Sequence, residues 1–238
     1  MHGLGNDFVV IDNMNGRIKL SKEQVVALCD RHKGIGADGV ILVEPSSEAD
    51  CFMNYYNSDG TIVEMCGNGV RCTAKFLKDY ILKSSTIFKI DTRAGIKDIE
   101  LKDDDTYSVN MGKPVFSHKD FPDKPLELEG LSLNFVSTGN SHAVSFVDKL
   151  DLFDLPILGP KIENNKIFPN KINFALVEKI SPSEFKIKVW ERGCGATLAC
   201  GTGATGVYGV LRKIKNVPKD LVINLNGGKL FFSENNEV

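Results

Sequence analysis

Apolar and polar positions switch repeatedly between two periods along this chain, and the switches divide it into elements. Residues 185–190 alternate at every second position and predict a half-buried strand, whereas the run around Val207, Tyr208, Val210 and Leu211 is apolar without alternation and fits a buried helix. Short apolar runs at 8–12, 40–43, 133–136, 143–147 and 173–177 predict buried strands. Alternation at 49–56, 87–91, 97–101 and 107–111 predicts more of them. Segments 221–224 and 229–232 would close the sheet system, the last returning across a domain boundary. Ser21 followed by Glu23 and Gln24 opens a helix through Val25, Leu28 and Cys29 that stops near Gly34, and a second helix covers 70–82. Asp103, Asp104 and Asp105 read as a solvated hairpin loop. Residues 114–125 read as a linker with an exposed His118, and 151–169 as loop and short helix broken at Pro156 and Pro160.

The stretch from Glu191 to Gly206 leaves its strand through small residues and glycines and enters a helix at Cys200. Main-chain N–H groups and the positive end of the helix dipole lie at such an entrance, where they would lower a thiol pKa and attract an anion. The device occurs twice: Met65-Cys66-Gly67-Asn68-Gly69 matches Ala199-Cys200-Gly201-Thr202-Gly203 at an offset of 134 residues. Gly5-Asn6 and Gly139-Asn140 share that offset, as do Asn57 and Glu191. This pattern indicates a tandem duplication, with domains expected at 1–113 and 114–238. Two matched cysteines facing one pocket would give an acid/base pair on opposite sides of a substrate.

Composition narrows the possibilities. The 238 residues carry 29 Lys and Arg against 31 Asp and Glu, with the signs interspersed, which points away from a nucleic-acid or membrane surface. No run is long enough for a transmembrane helix, and the first residues lack the basic and apolar regions of a secretory signal, so the expected location is the cytoplasm and the six cysteines are expected to be reduced. Cys66 and Cys72, like Cys194 and Cys200, are six apart rather than at zinc-site spacing, and no metal site is expected. The glycine-rich turn at 34–39 has neither a Walker lysine nor a dinucleotide fingerprint. Cys29 and Cys72 read as packing residues. His142, directly after the repeated Gly-Asn, is expected near a ligand.

Taken together, Gly3-Leu4-Gly5-Asn6-Asp7-Phe8, Gly36-Ala37-Asp38-Gly39, Asn57-Ser58-Asp59-Gly60, Met65 to Cys72, Gly139-Asn140 with His142, and Glu191-Arg192-Gly193 with Ala199 to Gly203 resemble the diaminopimelate epimerase family over nearly the whole chain. The resemblance implies an α/β (α+β) fold of two pseudo-symmetric domains, each a curved, mostly antiparallel sheet wrapped around a central helix, with the site in the cleft between them. It implies interconversion of L,L- and meso-2,6-diaminopimelate with no cofactor and no metal. Matched to the family motif, Cys66 and Cys200 would be the acid/base pair. Gly67, Asn68, Gly201 and Thr202 would hold the reacting carboxylate, and Asn6, Asn57, Asn140, Asn173 and Arg192 the distal end. Glu191 and His142 would lie beside the reacting centre. Ser141 stands where the family usually has proline, and Ala196 where it usually has an acidic residue. The partner is then a small amino acid, neither nucleic acid nor membrane. The oligomeric state stays open, a homodimer among the options, as does a Cys66–Cys200 disulfide on oxidation.

Two other readings stand beside this one. A same-fold racemase of another amino acid, such as histidine, would use the same machinery at the α-carbon, because that machinery does not fix the distal end. A non-catalytic amino-acid binding protein would have no need of the two cysteines.

Overall fold

The computed structural model describes residues 1–215 and 217–234. Its contacts divide the chain into two units, Met1–Asn110 and Met111–Val238, each with an eight-stranded sheet among the described residues. The first unit holds β1 (His2–Gly3), β2 (Asn6–Asp12), α1 (Lys22–Cys29), β3 (Gly39–Glu44), β4 (Cys51–Asn57), β5 (Ile62–Val63), α2 (Gly67–Phe76), β6 (Ile87–Asp91), β7 (Lys97–Leu101) and β8 (Tyr107–Val109). The second holds β9 (Leu126–Leu128), β10 (Leu131–Ser137), β11 (Ser141–Val147), α3 (Leu155–Glu163), β12 (Asn173–Lys179), β13 (Glu184–Glu191), β14 (Gly195–Thr197), α4 (Gly201–Ile214), β15 (Leu221–Leu225) and β16 (Gly228–Phe232).

The second sheet repeats the first. β2 runs parallel to β3 as β11 does to β12, and β3 antiparallel to β4 as β12 to β13. The arms β5 and β14 fold back on β4 and β13, which then lie parallel to β6 and β15. The 134-residue offset survives in the register: Phe8 faces Gly39 as His142 faces Asn173, and Tyr55 faces Val63 as Val189 faces Thr197. The final strand does not return to the first sheet; β16 pairs with β15.

The apolar runs are explained by covers on both faces. In β3, Ile41 and Val43 pack with Val70 and Ala74 of α2, while Val40 and Leu42 pack with Val25 and Cys29 of α1. Each Val, Leu or Ile side chain fully buried in this way stabilises the unit by about 1.5–3 kcal/mol. The start of α1 is fixed by a capping box, in which the Ser21 hydroxyl accepts from Gln24 N–H and the Gln24 side chain accepts from Ser21 N–H. Helix α2 packs against strands along the whole sheet, β1–β4 and β6–β8, so the sheet curls around it. Helix α4 approaches its sheet through small residues; a Cβ at Gly206 would lie 3.0 Å from Val136. Among the described residues no helix is long and apolar enough to cross a membrane.

Three local expectations change. Helix α2 begins at Gly67, three residues earlier than its apolar pattern, because Cys66 supplies the cap, and it passes at Leu77 into a π-helical turn. The segment read as a linker is packed: Val115 bridges Ser137, and buried Phe121 stacks on Phe135, leaving His118 half-buried against Phe121. Pro156 and Pro160 lie within α3 rather than breaking it. Pro156 falls in the first turn, where no intrahelical N–H is required, and Asp154 caps it.

Candidate active site

Cys66 and Cys200 are built alike. Each is the residue before its helix, in extended conformation, with φ −140° at Cys66 and −126° at Cys200. The Cys66 thiol accepts from Gly69 N–H at 3.4 Å, and the Cys200 thiol from Gly203 N–H at 3.3 Å. A sulfur thus occupies the place usually taken by a Ser or Asp cap oxygen. Gly67 and Asn68 open α2, and Gly201 and Thr202 open α4, so the positive end of each helix dipole lies beside its thiol.

Around Cys66 runs a relay of side chains. The Arg71 guanidinium donates to Asn68 Oδ1, Asn68 Nδ2 donates to Asn6 Oδ1 at 3.2 Å, and Asn6 Nδ2 donates to Asp38 Oδ2 at 2.8 Å. Arg31 anchors the far end, holding Asp38 and making two bonds to Asp7. A guanidinium can only donate and a carboxylate only accept, so both amides between them are oriented. The oxygen of Asn6 therefore faces the Cys66 thiol, 3.8 Å away. Asn57, at the end of β4, accepts from Tyr55 and donates to Thr61 within its turn.

Around Cys200 the groups differ. Glu191 hydrogen-bonds the thiol and is itself held by the Thr197 hydroxyl; the Thr202 hydroxyl lies 3.5 Å from the sulfur. Burial pushes the Cys200 thiol well up, and the Glu191 carboxylate adds to that, outweighing Thr202 and Gly203 N–H. The depression expected from the helix dipole alone is thus not found at this cysteine. Burial also raises Glu191. His142 is fully buried, with Nε2 2.7 Å from Asn140 Oδ1, and burial followed by the nearby Arg192 charge lowers its pKa to about 3. It is therefore neutral near pH 7 and cannot act there as a charged acid. Asn173 Nδ2 donates to Ser141 O, and its Oδ1 accepts from Arg192 N–H at 3.0 Å. Thr138, beside the Gly139-Asn140 turn, ties that loop to the Thr202 carbonyl.

In the first unit the structure thus gathers Cys66, Gly67, Asn68 and Asn6; Asn57 lies in its own turn. In the second it gathers Cys200, Gly201, Thr202 and Glu191, with the pairs Asn140–His142 and Asn173–Arg192. Sequence reasoning missed Asp38, Arg71, Thr197 and Glu163 as supports. The repeat held a signal for two of them: Thr197 falls on Val63 and Arg71 on Thr205, polar-for-apolar and charged-for-neutral differences beside otherwise matched thiols.

Comparison with solved structures places the fold. A hydroxyproline epimerase from Agrobacterium vitis superposes with a TM-score of 0.68 at 17% identity, covering 97% of this chain and 80% of that one. A Bacillus anthracis phenazine biosynthesis protein of the PhzF family gives 0.65 at 18% identity, covering 97% and 85%. The chain thus has the two-unit fold of these proteins, each unit a curled sheet around a helix. Sequence narrows this further. The family profile described as Diaminopimelate epimerase matches residues 1–117 and 134–237. The Diaminopimelate epimerase of Carboxydothermus hydrogenoformans is 42% identical over 98% of this chain and 90% of that protein, and that of Trichodesmium erythraeum is 44% identical over 96% and 88%. The chain belongs to the diaminopimelate epimerase family and is an enzyme of the isomerase class.

Proposed function

We propose that this enzyme interconverts L,L- and meso-2,6-diaminopimelate by moving the α-proton between two thiols, Cys66 and Cys200, and that it does so in the cytoplasm on the route to lysine and peptidoglycan precursors. The observation that carries the reading is the repeated cysteine cap, the same thiol at the same helix mouth in two copies of one scaffold.

The α-proton of an amino acid is very weakly acidic, so carbanion character must be stabilised as the C–H bond breaks. The N–H groups of Gly67 and Asn68, and those of Gly201 and Thr202, are preorganised donors for the substrate carboxylate as charge builds on it. One thiolate removes the proton while the opposite thiol delivers another, so inversion follows from having acid and base on two faces of the carbon. A positioned acid or base contributes roughly 10²–10⁴ in rate. Donor stabilisation and exclusion of water must therefore supply the rest. Cys200, whose burial and Glu191 neighbour favour the protonated form, is the resting acid. In that direction Cys66 takes the substrate proton. Arg192 and the asparagines suit a second charged amino-acid end, which supports a diamino diacid over a monoamino acid.

Proton NMR of L,L-diaminopimelate with reduced enzyme in D₂O tests this. The α-proton signal should disappear as the meso isomer grows in, and Cys66→Ala and Cys200→Ala should each abolish epimerisation. Exchange with another amino acid such as histidine, and none with diaminopimelate, would retain the thiols and replace the substrate. No exchange with any amino acid would overturn the enzyme mechanism.

A further inference from the structure

Glu163 ends α3 and is only 4% exposed. Its carboxylate collects donors from three segments: Trp190 Nε1 at 2.7 Å, Gly193 N–H at 3.1 Å and Lys171 Nζ at 3.3 Å. Burial opposes its ionisation, but these donors outweigh burial and hold the carboxyl below its ordinary value. Trp190 and Gly193 flank Glu191 and Arg192, so one buried carboxylate grips both sides of the turn that carries them. On its other side Arg192 donates from its backbone N–H to Asn173 Oδ1 and from Nη1 to the Asn170 carbonyl at 2.7 Å. Glu191 has separate support, pairing with Gly195 across β13 and β14 and bonding Thr197. The grip of Glu163 therefore bears on Arg192.

We propose that Glu163 is a positioning residue for Arg192, and through it for the charged distal end of the substrate. This rests on the proposed function for its substrate, but not for its geometry. In Glu163→Gln the side chain keeps its shape but turns an NH₂ toward at least one donor, leaving that donor unmatched. The turn loosens while the thiols and Glu191 keep their own bonds.

Steady-state kinetics of full-length Glu163→Gln should show KM for diaminopimelate raised about tenfold with kcat within about twofold of wild type, the pattern of lost binding that is uniform through the reaction. Unchanged KM, or a fall in kcat alone, would overturn the proposal. Should Glu163→Gln fail to fold, Trp190→Phe withdraws one donor and keeps the carboxylate. It should raise KM several-fold, and an unchanged KM there overturns the proposal equally. A second readout needs no turnover: hydrogen exchange of the Arg192 amide should be about tenfold faster in Glu163→Gln, and equal rates would refute the grip. Absent wild-type turnover of diaminopimelate would count against the proposed function alone, and the exchange rates would still decide the role of Glu163.

Discussion

His142→Phe should flatten the acid-side fall in stability, because His142 is a buried imidazole that the folded protein keeps neutral. Phenylalanine is the residue the first unit carries at the equivalent position, Phe8, so the substitution borrows a side chain already tolerated by the repeated scaffold. His142 has no exposed surface, its Nδ1 finds no hydrogen-bond partner among the described residues, and its pKa is driven to about 3 from 6.5. The unfolded chain takes up the proton near 6.5 while the folded chain resists it until about 3. Stability contributed by the neutral ring is therefore complete above 6.5 and is lost progressively as pH falls through this window. At 1.36 kcal/mol per unit, the loss at pH 5 is about 2 kcal/mol. Urea titrations at pH 7.5 and pH 5 measure it, followed by emission of Trp190, which is the only tryptophan and lies in the same unit. Other titrating groups contribute equally to wild type and variant and cancel. With a typical denaturant slope of 1–3 kcal/mol per molar, the wild-type midpoint should fall by about 1 M more than that of the variant. Equal falls in the two proteins would refute the neutral, buried assignment of His142.

Two further outcomes follow from the second unit. Glu191→Gln removes a negative charge beside Cys200 and should lower that thiol's pKa, so ultraviolet thiolate absorbance assigned by comparison with a Cys200→Ala control should titrate at lower pH; an unshifted titration would show that Glu191 does not act on the sulfur. Gly159→Ala places a Cβ 2.3 Å from the Trp190 ring and should destabilise the chain by about 1–3 kcal/mol, seen as a lower thermal midpoint with altered tryptophan emission, and a neutral effect would refute the close packing of α3 on Trp190.

The strands were legible because covers on both faces of a sheet demand apolar runs, and β3 shows the pattern plainly: every residue from Val40 to Val43 has a helix to bury against. The helix mouths were legible because a duplicated Cys-Gly-x-Gly is improbable as packing alone. What stayed hidden is long-range. Phe121 looks like a linker residue until Phe135, fourteen positions on, is seen stacked against it. Glu163 looks like the solvated end of a short helix, since nothing local announces that Trp190 and Gly193 will bring their N–H groups to it. Pro156 misled for a related reason: a proline fits the first turn of a helix, and where that turn lies was set by Asp154, whereas Pro160 sits inside α3. The direction of the Cys200 shift could not be read from the dipole, because the opposing contribution comes from burial by the assembled unit.

The two copies agree where geometry is needed and diverge where charge is needed. Strand register, the arms β5 and β14, and the thiol at the first cap have been kept through the duplication. The differences between aligned positions include Asn57 against Glu191, Arg71 against Thr205, Val63 against Thr197, Phe8 against His142 and Gly39 against Asn173. The surroundings of the two thiols therefore differ in charge although the backbone geometry at the two caps is alike. Glu191 holds the Cys200 side toward the protonated form, and a guanidinium from Arg71 stands on the Cys66 side. Gly39 shows that geometry limits the exchange of residues between copies. A Cβ there would come within 2.5 Å of Tyr55 and of the Tyr56 carbonyl, so the first unit has no room for a counterpart of Asn173. Asn173 is instead held by backbone, donating to the Ser141 carbonyl and accepting from Arg192 N–H, whereas Asn6 of the first unit donates to the Asp38 carboxylate.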